Sequence, residues 1–458
     1  MWTAATTAKG GEDMYVPTGR YRITSQVTSI PVTGQNAFLR MFGDCGGSEL
    51  VCSGPATHYA FSPRNSVPVI FENLVFLSPT ATGGGTDMRG IIGARSRTIV
   101  RKCNFVGHSL NGAVIVSDDL FIEDCEIAGV RATFGAIAMV SYARLRAKNV
   151  RIIDYGYWKG VNYSKSDSNN LRWIFVQDPI TTINSQNGND EGLIELDNVQ
   201  FDENAHAWLE MKPSGPGPDG ASLNPNNRCV KVIIKNSGGN LGQTAYPNFR
   251  GFLIRKTDNV LIEETRFGWA DASKVMAEFV DAGHIELRRL RCIAGGPNPN
   301  LKGEIIVDSA CKSVRDEGSD YATLTSPVPT TGRTREGITW RLQQCGGAVP
   351  TGALVVVDPA VDSKVIAAPA HAVIHQVIGV ALEAGVLDKR IRVADMGQHV
   401  TMISDGVMAL GRGAGLAPSK KLAGRVSAAG NNASAVGRAT ANAPATVDVA
   451  VSAFFHVT

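Results

Sequence analysis

The 458-residue sequence predicts an all-β chain: a parallel β-helix followed by a small β-sandwich or barrel domain. Three observations carry this reading. A short apolar pattern recurs through the first two thirds of the chain; 49 Gly and only 7% aromatic side chains favour tight turns over helical heptads; and beyond Thr325 short Val- and Ala-rich runs alternate with Gly turns.

The repeat reads apolar, any, apolar, two residues, apolar, any, apolar. Its copies are Val69, Phe71, Leu74, Phe76; Thr98, Val100, Cys103, Phe105; Leu120, Ile122, Cys125, Ile127; and Leu145, Ala147, Val150, Ile152. Further copies follow at Leu171, Trp173, Val176; Ile194, Leu196, Val199, Phe201; Val260, Ile262, Thr265, Phe267; and Ile285, Leu287, Leu290, Cys292, with a weaker one at Val230 and Val232. The third position is held by Leu74, Cys103, Cys125, Val150, Val176, Val199, Thr265 and Leu290, so most neighbouring copies are separated by one short and nearly constant interval.

Within a copy the apolar residues alternate, jump across a bend and alternate again, which puts all four on one side of a kinked strand pair. One such unit cannot bury its face alone. Stacking the units about 4.8 Å apart, each strand beside its counterpart in the next turn, buries the column and gives a parallel β-helix. Asn73, Asp124, Asn149 and Asn198, each just before the third apolar residue, suit a bend where a short polar side chain bonds backbone or an identical neighbour. A leucine-rich repeat would need a shorter period and a helical return. Pro213 to Gly220 and Asn224 to Asn227 mark a loop insertion over 212–228.

The expected layout is a β-helix over 1–325 with an N-terminal cap, a linker over 326–345 around Thr325-Ser-Pro-Val-Pro-Thr-Thr-Gly-Arg333, and a C-terminal β domain over 346–458. Strands are read at Ala353 to Val357, Val377 to Ala381, Ile391 to Val393, His399 to Thr401, Gly424 to Val426 and Val447 to Val451. The module looks duplicated: Gly379 to Ala381, Ile391, Val393 and Met396 recur at one constant offset as Gly437 to Ala439, Val449, Val451 and Phe454.

Charge excludes little but is informative. Lys and Arg total 45 against 42 Asp and Glu, and a net charge of +3 gives no field for a polyanionic partner such as nucleic acid. The most apolar stretch, Val365 to Val386, contains His371, His375, Gln376 and Glu383, so no membrane insertion is expected. The start of the chain shows no basic and apolar signal segment, which points to synthesis in a cytoplasm. Eight cysteines without a Cys-x-x-Cys pair read as free thiols. Cys103 and Cys125 share a repeat position and are expected to form a buried thiol ladder, because in-register side chains point the same way and seldom meet disulfide dihedrals.

No metal, nucleotide or Ser-His-Asp signature is present, and no cofactor is expected. Chemistry would rest on scattered carboxylates. Asp154 and Glu203 each fall four positions after a third apolar residue, in turns counted as two apart, which gives roughly 9 to 10 Å between their backbones. That suits an inverting hydrolase, whose acid and base stand about 6.5 to 9.5 Å apart; Asp178 and Asp202 lie near the same column. These carboxylates spread over three or more turns with no recurrent His or Arg, which favours a protein that does not catalyse. Tyr155, Tyr157, Trp158, Tyr163 and Trp208 are candidate glycan contacts, since sugar C–H faces stack on aromatic rings. Trp173 occupies a core position and is expected to be buried. His108 and His284 lack partner spacing and are read as solvated or satisfied in the core.

The run Gly10-Gly-Glu-Asp-Met-Tyr-Val-Pro-Thr-Gly-Arg-Tyr-Arg-Ile23 resembles the first strand of pectate-lyase-like right-handed β-helices, and with the repeats the resemblance covers the chain from Gly10 to about Ala310. That superfamily holds lyases, hydrolases and non-enzymatic phage spikes. Val377-Ile-Gly-Val-Ala-Leu-Glu-Ala384 with its following Ile-Arg-Val strand resembles phage head-decoration (capsid cement) modules. Together these resemblances imply a virion surface protein, a capsid decoration protein or head spike. It would be a homotrimer docked on the major capsid protein or another virion protein, presenting the β-helix to a host surface polysaccharide. The alternative is a tailspike depolymerase, an endoglycosidase or lyase acting on capsular or O-antigen polysaccharide. The β-helix is read to begin by about Tyr15, which leaves the C-terminal module as the expected anchor.

Overall fold

The computed structural model describes residues 12–29, 38–55, 57–63, 68–78, 88, 90–94, 96–107, 112–116, 118–129, 135–139, 144–153, 156–158, 161–163, 172–177, 192–201, 207–212, 228–241, 250–268, 274–293, 303–405, 415–429, 435–440 and 447–455. The chain divides into two units, Met1–Lys312 with Asp320–Pro327, and Ser313–Ser319 with Val328–Thr458.

The first unit is a three-faced parallel β-helix. One face stacks Leu39–Gly43, Val69–Glu72, Thr98–Arg101, Asp119–Ala128, Arg144–Ile153, Leu193–Phe201, Cys229–Lys235, Arg250–Glu263 and Val275–Arg288, each parallel to the next. A second face runs from Gly19–Ile23 through Ser48–Cys52 and Val75–Leu77 to Gly238–Asn240, Arg266–Gly268 and Arg291–Ile293. The third includes Gly90–Ala94, Gly112–Val116, Ile137–Met139, Arg172–Val176, Ala207–Met211 and Glu304–Val307. The repeat positions set the register. Phe71 pairs Val100, Val100 pairs Ile122, Ile122 pairs Ala147 and Ala147 pairs Leu196, and all are buried.

Two repeat assignments are corrected. Arg172–Val176 stacks between Ile137–Met139 and Ala207–Met211 on the third face, so Trp173 and Val176 do not belong to a copy of the bend repeat. Its alternating apolar residues imitate one because every inward strand alternates; Trp173 is buried as expected. The weak copy at Val230 and Val232 is shifted along the strand: Val232 pairs Val260 and Ile234 pairs Ile262, which makes Ser237 and Gly239 the third and fourth positions of that turn.

Each bend before the third apolar position is left-handed. Asn73, Asp124, Asn149 and Asn198 have φ of 56°, 54°, 52° and 54°, where short amide and acid side chains are tolerated best. Asn149 Nδ2 donates to Asp124 Oδ1 at 2.9 Å, and Asn198 Nδ2 donates to Asn149 Oδ1 at 2.9 Å, tying successive turns. A second tie lies where the third face returns to the first. Arg228 donates to Asp258 and Asp281 carboxylates at 2.7 Å each and to the Thr257 and Asp281 carbonyls. Residues 213–227 of the expected insertion lie outside the described residues.

Cys103 and Cys125 are buried free thiols in adjacent turns, and the Cys103 N–H donates to Cys125 Sγ at 3.4 Å. Burial pushes the Cys125 thiol up to about 12 and raises Cys103 in the same direction. Iodoacetamide at pH 8 should therefore modify exposed Cys45 in the native protein and reach Cys103 and Cys125 only after unfolding, as peptide mapping would show. A folded thiol pKa above the unfolded value of about 8.5 means that the stability it confers is complete below that pH. It is lost as pH rises toward 12.

The second unit takes in the stretch expected to be a linker. Thr330–Arg333 pairs antiparallel with Thr339–Cys345, because Thr334 to Gly337 form a hydrogen-bonded turn between them. Thr339–Cys345, Leu354–Asp358, Val361–Ala367, Val377–Ala381 and Arg390–Ala394 close a ring: the first pairs parallel with the third and antiparallel with the fifth, the second joins the third and fourth, and the fourth joins the fifth. Gln398–Asp405, Gly415–Pro418, Val426–Ala428, Gly437–Ala439 and Val447–Phe455 form a closed barrel with the same pairings in the same order. The duplication in the sequence is thus a pair of topologically identical barrels. Val356, Val377, Val400, Met402, Leu416 and Phe455 belong to one apolar core that both barrels share.

Candidate functional site

Outward-facing residues of the first face form a column just before the bend, and its charges alternate rung by rung. Reading along the ladder gives Glu72, Arg101, Glu123, Lys148, Asp197, Lys235, Glu263 and Arg288. Rungs stand about 4.8 Å apart, and like charges directly opposite destabilise a sheet, so alternation leaves every charge beside an opposite one. Lys148 lies 3.4 Å from Glu123, and Lys235 and Arg288 lie 3.6 and 3.7 Å from Glu263.

The column on the other side of the bend breaks this order. Gln200 pairs Gly238, Gly238 pairs Arg266, and Arg266 pairs Arg291. Gly238 leaves one rung empty: it has φ +137°, and a Cβ there would fall 1.9 Å from the Arg266 carbonyl oxygen. Gly238 lies in the lining of a groove of about 750 Å³, with Asn198, Gln200, Asn236, Glu264, Arg266 and Ile293 among others. Glu264 is the one carboxylate among the described residues lining it, and it is held by Arg289 at 2.7 Å and Arg291 at 3.4 Å. The groove is rich in amide groups and holds the Arg266 guanidinium, so it can bond hydroxyls and anions.

Gly239 supports the groove from inside. Its inward position lies between Phe201 and Phe267 in the ladder, and a Cβ would fall 1.9 Å from the Phe201 carbonyl oxygen. Trp208 fills the space, stacked on Phe201 at 5.3 Å and on Phe267 at 5.5 Å, with Phe252 edge-on at 5.5 Å. Trp208 is fully buried, which corrects its reading as a glycan contact. It lies on the third face, Ala207–Met211, a strand the bend repeat does not cover.

The expected spacing of Asp154 and Glu203 is also corrected. Val150 pairs Val199 and Ile152 pairs Phe201, so their turns are nearest neighbours, and the two-rung separation that suited an inverting pair does not exist. Asp154, Tyr155, Asp178, Asp202, Glu203 and His108 lie outside the described residues. Gly156–Trp158 and Val161–Tyr163, which carry Tyr157, Trp158 and Tyr163, form a two-stranded antiparallel hairpin whose side chains are likewise undescribed. His284 is exposed on Val275–Arg288.

The groove residues escaped sequence reading because their turn carries Ser237 and Gly239 at positions that elsewhere hold apolar side chains. The interval from Val199 to Thr265, too long for one turn, was the available signal. Among the described residues no group of three His, Cys, Asp or Glu is placed to hold a metal ion. No described helix is long and apolar enough to cross a membrane.

No protein-family model matches the chain, and no curated protein matches it. Among solved structures, the chain is similar to ORF18 of Geobacillus virus E2 at 10% identity and a TM-score of 0.33, covering 98% of this chain and 68% of that one. It is similar to the full-length tailspike protein 2 of Escherichia coli O157:H7 bacteriophage CAB120 at 9% identity and a TM-score of 0.27, covering 74% of this chain and 53% of the tailspike, about half its length. The pre-mature gene product 12 of bacteriophage phi29 is similar at 11% identity and a TM-score of 0.18, covering 96% of this chain and 94% of that one. These neighbours are phage proteins, and the chain itself is an all-β protein built on a parallel β-helix.

Proposed function

We propose that the chain is a bacteriophage virion surface protein, a capsid decoration protein or head spike, which presents its β-helix to host surface glycans and docks on the particle through the paired barrels. The groove beside Gly238 carries the reading. It sits on a stacked ladder whose rungs cannot shift independently, and its amides suit sugar hydroxyls. One carboxylate committed to two arginines is poor equipment for acid–base cleavage, which favours binding over depolymerisation.

Two surfaces support assembly. Ile70, Ile99 and Phe121 form a partly exposed apolar strip on consecutive rungs, continued by Ile233 and Leu261 beyond the Arg146–Glu195 pair, and a homotrimer would cover it. In the second unit Val373, Val386, Leu387 and Met396 are 50 to 63% exposed, apolar contacts available to the major capsid protein or another virion protein.

The test incubates the purified protein with the host's surface polysaccharide and follows binding together with new reducing ends and unsaturated sugars. Light scattering of the same sample should return three times the 48.6 kDa chain mass. Binding without products is the expected result. Products that disappear in the Glu203→Gln variant would establish a depolymerase instead.

A further inference from the structure

We propose that the groove beside Gly238 takes the carboxylate of an acidic sugar and that Arg266 is the residue that reads it. The proposal rests on the glycan-binding reading of this groove and names the sugar class. Arg266 is exposed, and among the described residues it forms no ion pair. One rung neighbour is Gly238, which has no side chain; the other is Arg291, a like charge. Across the bend, the neighbouring column alternates its charges over eight rungs, so two stacked arginines stand out against a surface that elsewhere balances itself. Like charges directly opposite repel, and an anion in the empty rung removes that cost. Glu264 cannot serve, because Arg289 and Arg291 already hold it.

The planar guanidinium fork matches a carboxylate through two parallel N–H···O bonds. Around it, Asn198 and Asn236 spend their amide N–H groups on Asn149 and Asp197, which orients both side chains and leaves each Oδ1 to accept from a sugar hydroxyl. Ile293, half exposed at the groove's edge, offers an apolar surface to a ring C–H face. Gly238 is the geometric condition for the close approach of these two rungs, since any side chain there would strike the Arg266 backbone.

The experiment titrates the full chain by calorimetry with oligosaccharides of hyaluronan, polygalacturonate and polysialate, each also in carboxyl-reduced form. At least one acidic oligosaccharide should bind, and carboxyl reduction should weaken it at least tenfold. Arg266→Gln should weaken it equally without lowering the thermal midpoint, Arg266→Lys should recover part of the loss, and Arg315→Gln, at an exposed arginine of the second unit, should change nothing. Equal binding of the reduced and acidic forms, unchanged by Arg266→Gln, would overturn the acidic-sugar proposal and leave the glycan groove standing. Acid-dependent binding that survives Arg266→Gln would place the acid elsewhere and also overturn it. No binding of any form would overturn both readings.

Discussion

Replacing Trp208 by alanine is expected to destabilise the β-helix by about 3–5 kcal/mol, as for other large aromatic truncations in a closed core. The indole does what no residue of its own column can do. Gly239 leaves a gap between Phe201 and Phe267, and Trp208 enters from another face to stack on both rings. Truncation empties that gap, and the ladder hydrogen bonds of Gly238–Asn240 on both sides keep the backbone from collapsing into it. Urea denaturation followed by circular dichroism measures the cost. A change below about 1 kcal/mol would show that the stack contributes little, since even one buried methylene is worth about 0.8 kcal/mol. Because Gly238 and Gly239 are consecutive, groove shape and core packing are coupled, and glycan affinity should fall in the same variant.

Removing residues 328–458 should abolish incorporation of the protein into particles. Both barrels lie in that segment and share one apolar core, so cutting between them would expose the core, whereas removal from Val328 onward takes the shared core away whole. Quantitative blotting of purified particles, with circular dichroism to verify the remaining β-helix, reads the outcome. Normal incorporation of the shortened chain would assign attachment to the β-helix itself.

The fold was legible where physics imposes a period. Phe71, Val100, Ile122 and Ala147 fill one column, and stacking demands the same side-chain class at each rung, so the sequence repeats. The left-handed bend was legible too, since few residues besides Asn and Asp tolerate φ near +54°; Lys102, Glu264 and Arg289 adopt it without that signature and were missed. The duplicated barrels could be read from Gly379 and Gly437 because both stand on the fourth strand of their barrel, each paired with its second strand.

The groove was not legible, for an equally physical reason. It exists because one turn abandons the pattern: Ser237 and Gly239 replace apolar residues, Trp208 compensates from a different face, and Gly238 removes a side chain where its neighbours carry Gln200 and Arg266. A reading that searches for regularity passes over such a turn. Pairing between distant strands also decides which candidates meet: Val150 and Val199 are adjacent rungs because Arg172–Val176, which lies between them in sequence, belongs to the third face.

The most direct test of the central claim is immunogold labelling of intact, purified phage particles with antibodies raised separately against the β-helix and the paired barrels. The account predicts gold on the particle surface with the β-helix antibody, and masking of the barrel epitopes until the particles are disrupted. Particles that carry no label before or after disruption, while the free lysate contains the protein, would contradict it.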